Sequence, residues 1–190
     1  VLVGGPPCQG FSINAPERFL EDPRNSLFRH YLRFVDEFAP DRLLMENVPG
    51  MLSLGGGAIF DAILGSLQDR GYNTSVKILL AANYGAPQIR WRTIILGSRN
   101  GGAPEHPQPT HFHRARPNFR GGSTIAVRPL PLDEFHLLPP VNLRDAISDL
   151  PAVEAGSGDE TQRYPRSRRG LSGFAKEIRP VRVVGAIGTL

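Results

Sequence analysis

The chain has 190 residues, is 40% hydrophobic with 21 glycines and 18 prolines, and carries a formal charge of +4. That length suffices for one domain with a sizeable core, or for one domain and part of another. The single cysteine excludes an internal disulfide framework and fits a reducing compartment. No apolar run approaches the roughly 18 residues of a membrane span, and no basic stretch leads into an apolar signal segment.

The charge is unevenly placed. Residues 1–98 hold nine basic and nine acidic side chains, whereas residues 99–190 hold thirteen and nine. The surplus lies in Arg114, Arg116, Arg120 and Arg128, then in Arg163, Arg166, Arg168 and Arg169, with no acid inside either cluster. Lys77 and Lys176 are the only lysines among the 22 basic residues. Arginine suits phosphate and base-edge contacts, so nucleic acid is a candidate partner, against a plain solvated loop.

In chain order, residues 1–3 predict a short buried strand. Gly4, Gly5, Pro6 and Pro7 end it, because proline lacks an N–H and fixes φ, and Cys8 follows just beyond, ahead of a loop over residues 9–21. Asp22-Pro23 is a helix start. Leu27, Phe28, Tyr31, Leu32, Val35 and Phe38 then recur at helical spacing up to Pro40. Residues 42–48 read as a second strand ending in Glu46-Asn47. A helix over 58–70, with Ile59, Phe60, Ile63, Leu64 and Leu67 inward, stops at Gly71. Residues 76–82 and 92–97 are the third and fourth strands. The loop between them is too short for a crossover, so they should be antiparallel. This order predicts an α/β fold with a mostly parallel sheet and an antiparallel last strand.

Beyond Arg99 the periodicity fades. Residues 142–150 predict a short helix with Leu143, Ala146, Ile147 and Leu150 inward, residues 152–170 a polar loop, and residues 181–184 a strand of a second unit. His106, His111 and His113 sit among prolines without Cys or acid partners at ligand spacing, so they read as loop histidines and no metal is expected.

Open α/β sheets gather ligands at the carboxyl ends of their parallel strands. Cys8 and Glu46 lie at such ends, and an antiparallel fourth strand begins at the same edge with Arg90 and Arg92. Each residue has a bland alternative: a buried thiol, a turn-capping acid, solubility charges on an edge strand. Their convergence points instead to a nucleophile with a carboxyl and guanidinium partners.

Gly4 to Ser12 (Gly-Gly-Pro-Pro-Cys-Gln-Gly-Phe-Ser), then Glu46-Asn47-Val48, then residues 88–92 (Gln-Ile-Arg-Trp-Arg), in this order and spacing, resemble the DNA cytosine-5 methyltransferase family. Residues 22–28, 70–72 and 83–87 also match its phrasing. The match is close over 1–98 and weaker over 141–151. It implies a Rossmann-like, S-adenosylmethionine-dependent methyltransferase sheet followed by part of a target-recognition region. Residues 1–98 would be the C-terminal half of the catalytic domain, 99–151 a linker with a short helix, and 152–190 the start of target recognition.

The resemblance implies that the Cys8 thiolate adds to cytosine carbon-6 on a base flipped out of double-stranded DNA. Glu46 would hold ring nitrogen-3 and the exocyclic amine, Arg92 the ring carbonyl and Glu46, and Arg90 the thiolate and a phosphate. Pro7 and Leu27 match cofactor contacts. Gln9 and Ser12 would lie near the DNA backbone, with Arg114 and Arg116 as further DNA contacts.

The family's glycine-rich cofactor loop, its ribose-binding acid and its closing motifs are not found, so this segment by itself is expected to show little methyl transfer. The expected setting is a bacterial cytoplasm at the nucleoid, in a restriction-modification role, as a monomer when complete or as one part of a split enzyme. The alternatives are an RNA cytosine-5 methyltransferase, against which Gly4-Gly5 and Phe11-Ser12 lean, and a catalytically inactive nucleic-acid-binding module.

Overall fold

The computed structural model describes residues 1–7, 27–115, 136–151, 153, 156 and 171–178. Four strands, β1 (Leu2–Gly4), β2 (Arg42–Asn47), β3 (Asn73–Leu80) and β4 (Trp91–Ser98), form one open sheet in the order β1-β2-β4-β3. β1 and β2 are parallel, and β4 runs antiparallel to both neighbours. By direction three strands agree and one opposes. This is the expected sheet with an antiparallel last strand, although by adjacency within it the β1–β2 pair alone is parallel. The crossover from β2 to β3 skips one strand position, and β4 folds back to fill it.

The crossovers are α1 (Phe28–Phe38) and α2 (Ala58–Asp69), the second preceded by a 3₁₀ segment, Pro49–Gly57. Both helices pack on one sheet face. Tyr31, Leu32 and Val35 of α1 and Phe60, Ile63, Leu64 and Leu67 of α2 join Leu43, Met45, Ile78 and Ile95 in one core, closed at its end by Met51 and Leu52. The period-2 alternation of β2 explains the choice of face, since Leu43, Met45 and Asn47 are buried while Leu44 and Glu46 are half-buried.

α2 ends as expected. Gly71 adopts φ +80°, its N–H reaches the Gln68 carbonyl, and the Tyr72 N–H reaches that of Leu67. α1 ends at Phe38, where Ala39 takes the left-handed conformation ahead of Pro40. A residue before proline is disfavoured in the right-handed helical region, so the helix cannot continue.

Several expectations need correction. Residues 1–3 are not a buried strand: among the described residues β1 pairs with β2 alone, and Val1 and Val3 are exposed. Phe38 does not face the core, and instead stacks on Phe34 at 6.1 Å on the outer side of α1. β3 starts at Asn73, three residues early, and ends at Leu80, where Ala81–Tyr84 forms a 3₁₀ turn.

Helix α3 is shorter than expected (Leu143–Ile147) and buries only Ala146, leaving Leu143, Ile147 and Leu150 exposed. It is held by a capping box between Asn142 and Asp145. Its neighbour α4 (Gly173–Ile178) was not expected from the sequence. The Ser172 hydroxyl donates to the Asp145 carbonyl at 2.5 Å and accepts from the Ala175 N–H, so one side chain both starts α4 and ties it to α3. The expected helix start at Asp22-Pro23 and the strand at 181–184 lie outside the described residues.

Candidate active site

Because β1 and β2 are parallel, their carboxyl ends meet at one edge, and the antiparallel β4 begins there. Glu46 is the penultimate residue of β2 and pairs with Ile94, while Asn47 pairs with Thr93. Arg92 therefore stands one step further along β4, on the face of Glu46 and diagonal to it. Long side chains span that diagonal, and the Arg92 Nε forms an ion pair with Glu46 Oε1. A second guanidinium nitrogen donates to the Trp91 carbonyl at 2.8 Å.

The two members differ in exposure. The Arg92 side chain is 18% exposed and that of Glu46 41%. Arg92 is thus the anchored support, and the carboxylate stays within reach of a ligand. β4 lies inside the sheet, so Arg92 is not a solubility charge on an edge strand.

Asn47, on the opposite face and buried, performs a different task. Its side-chain amide donates to the Pro6 carbonyl at 3.4 Å, and its oxygen accepts the Val48 N–H at 2.9 Å. It clamps the start of the Pro6-Pro7 step to the end of β2. Tyr31 ties the same two strands from the helix side, its hydroxyl 3.1 Å from the Leu44 carbonyl and 3.5 Å from that of Leu2. Burial pushes this phenol well above its ordinary range, with Tyr72 adding to the shift, so it remains a donor. Neither Asn47 nor Tyr31 was singled out from sequence. The Asn of Glu-Asn-Val was visible, but its acceptor, a loop carbonyl 41 residues away, was not.

The other expected residues are placed unevenly. Pro7 is exposed just beyond β1, and Leu27 is half-buried immediately before α1. Arg90 is exposed ahead of β4, with its carbonyl accepting the Ala81 N–H. It is therefore at the expected edge, although the contact to Glu46 comes from Arg92. Arg114 is exposed, with its guanidinium 5.6 Å from the Phe112 ring centre. Cys8, Gln9, Ser12 and Arg116 lie outside the described residues. Among the described residues no group of three His, Cys, Asp or Glu side chains is arranged to hold a metal ion, and no helix is long and apolar enough to cross a membrane.

A carboxylate held by a half-buried guanidinium, beside a proline-stiffened strand end, can bind a planar ring through its N–H edge and orient it. Residues 1–168 match the family model described as C-5 cytosine-specific DNA methylase. The Type II methyltransferase M.AgeI of Thalassovita gelatinovora is 41% identical over 152 residues, covering 80% of this chain and 34% of the relative. M.DdeI of Desulfomicrobium norvegicum, also a Type II methyltransferase, is 36% identical over 179 residues, covering 88% and 36%. Among solved structures, the S. pombe Dnmt2 methyltransferase is 25% identical with a TM-score of 0.42, covering 55% of this chain and 32% of that one. The chain thus spans about a third of the length of the curated relatives it matches.

Proposed function

The chain belongs to the C-5 cytosine-specific DNA methylase family, and from that premise we propose that it is the base-handling segment of a DNA cytosine-5 methyltransferase. The observation that carries this reading is the Glu46–Arg92 pair at the sheet edge where β1 also ends, four residues before Cys8 in the sequence.

Carbon-5 of cytosine is a poor nucleophile. In the proposed mechanism the Cys8 thiolate adds to carbon-6 and turns the ring into an enamine, with electron density at carbon-5. Glu46 holds the exocyclic amine and shares a proton with nitrogen-3 as charge moves onto it. Arg92 keeps the carboxylate in place and faces the ring carbonyl. Arg90, at the same edge, supports the thiolate and a nearby phosphate. Once carbon-5 carries the methyl group that bound S-adenosylmethionine would supply, water would take the carbon-5 proton, the Cys8 thiolate would leave carbon-6, and the double bond would reform. The base is presented extrahelically, since these atoms are out of reach inside a duplex.

S-adenosylmethionine, when bound, supplies the methyl group. Pro7 and Leu27 fit it only as an apolar wall, and the polar part of its cradle falls to other segments. Residues 1–98 belong in this reading to the catalytic domain, 99–151 to a linker and 152–190 to the beginning of target recognition. Gln9, Ser12, Arg114 and Arg116 contact double-stranded DNA, and the setting is a bacterial cell with a restriction-modification system.

The test is methyl transfer by the full-length protein to duplex DNA and to matched RNA, with 5-fluorocytosine substrate to trap the adduct. The expected result is an adduct on DNA that is lost in Cys8→Ser while DNA binding persists. Methylation of RNA alone would remove the DNA assignment, and an adduct surviving Cys8→Ser would remove the nucleophile assignment.

A further inference from the structure

We propose that Gly5 is a positioning residue for Glu46, and that the space left by its missing side chain sets the attitude of the carboxylate. The inference rests on the reading of Glu46 as the group that holds the base. A Cβ placed on Gly5 would lie 2.9 Å from Glu46 Oε2 and 3.5 Å from the Glu46 carbonyl oxygen. Oε1 is taken by Arg92. The two carboxylate oxygens are therefore divided between a guanidinium on one side and the bare backbone of Gly5 on the other. That gap lies directly after β1, at the residue before Pro6 and Pro7.

Backbone conformation does not require glycine here. Gly5 is not among the residues with positive φ, unlike Gly71 or Gly85. The demand is for space. Its neighbour Gly4 meets a demand of another kind, since a Cβ there would lie 2.9 Å from two atoms of the Tyr31 ring. That ring is buried and its hydroxyl is bound between two strands. It cannot swing aside, so crowding at Gly4 strains the packing of α1 on the sheet. The Glu46 carboxylate is the exposed end of a flexible chain and can rotate away at little cost to folding. Two adjacent glycines thus divide their roles: Gly4 admits a fixed ring, and Gly5 admits a working carboxylate.

The experiment uses the full-length protein with Gly5→Ala, Glu46→Asp, Glu46→Gln and the Gly5→Ala/Glu46→Asp double variant. The readouts are thermal stability, DNA affinity, kcat and the rate of adduct formation with 5-fluorocytosine DNA. Gly5→Ala is expected to keep its melting temperature within about 2 °C and its DNA affinity within about threefold, while kcat and adduct formation fall about 100-fold, the scale of a 1 Å misplacement. Glu46→Asp draws the carboxylate back by one methylene. Adding Gly5→Ala to it should then cost no further activity, which is strong non-additivity.

Activity of Gly5→Ala within threefold of the parent, or losses that multiply in the double variant, would overturn the proposal. If Gly5→Ala fails to fold, Glu46→Ala in the same background must restore folding; if it does not, the space is not set against Glu46 and the proposal falls. Full activity of Glu46→Gln strikes a different target, the reading of Glu46 itself.

Discussion

Cutting the Glu46–Arg92 pair from each side measures how firmly the carboxylate is held. Two unit charges about 3 Å apart attract by about 5 kcal/mol at an effective dielectric near 20. Glu46 is 41% exposed, so water and salt screen most of this, and desolvation of the half-buried guanidinium opposes the rest. A net contribution of about 1 kcal/mol is the reasonable expectation. Arg92→Met keeps the aliphatic stem but also loses the 2.8 Å hydrogen bond to the Trp91 carbonyl, about 1 kcal/mol more. Arg92→Met should therefore destabilise by about 2 kcal/mol and Glu46→Gln by about 1 kcal/mol. The double variant should lose about 2 kcal/mol, because the pair can be broken only once. Urea unfolding of the full-length protein reads this directly. With a slope of about 2 kcal/mol/M the Arg92→Met midpoint falls by about 1 M, and the cycle returns a coupling of about 1 kcal/mol. Methyl transfer should show the same non-additivity, with each single change severe and the second adding little. Strictly additive stabilities, with coupling below about 0.3 kcal/mol, would refute the claim that Arg92 anchors this carboxylate.

Phe60 has no exposed surface at the centre of the α2–sheet contact, so Phe60→Ala should cost about 3–5 kcal/mol in the same unfolding assay. Gly71 sits at φ +80°, and nothing lies within 4 Å of where an alanine methyl would stand. Gly71→Ala should therefore cost about 1 kcal/mol through backbone strain alone, without altering activity. His106 is buried, and neither ring nitrogen has a side-chain hydrogen-bond partner. Desolvation pushes its pKa below the ordinary 6.5, a contact with the Ser75 backbone opposes this in part, and the Lys77 charge adds to it. The unfolded chain therefore takes up this proton first, and stability present above about pH 6.5 is lost as the pH falls below it. His106→Gln should flatten the decline of the urea midpoint between pH 7 and pH 5, and an unchanged slope would show that His106 does not titrate in that window.

Local chemistry made much of this chain legible. The helical spacing of Phe60, Ile63, Leu64 and Leu67 placed the inner face of α2, and Gly71 marked its end, because both depend on residues within a few positions. The apolar run Leu43-Leu44-Met45 ending in Glu46-Asn47 and the proline step after Gly5 marked the two parallel strands and the edge where they stop. That Arg92 starts an antiparallel strand followed from the short connection after β3. The outward faces were less legible. Phe38 and the apolar residues of α3 keep helical spacing yet stay exposed, since periodicity names a face without naming what covers it. Helix α4 is not legible in the sequence because six residues carry too little periodicity, and its start depends on Ser172 reaching Asp145 across 27 residues.

Local chemistry specifies the parts: two strand ends bearing Glu46 and the Pro6-Pro7 step, a returning strand opening with Arg92, and helices with one apolar face. Adjacency is set by tertiary packing. The β2–α2–β3 crossover leaves a vacant position, and β4 fills it, so that Arg92 lies diagonal to Glu46 within the sheet instead of on its rim. A crossover of given length can skip one strand or none, and the choice is made by burial of Ile95 and Ile78 against the helices rather than by the chain near Arg92. The same packing brings Gly5 against the carboxylate, a contact between residues far apart in the chain that no local pattern encodes.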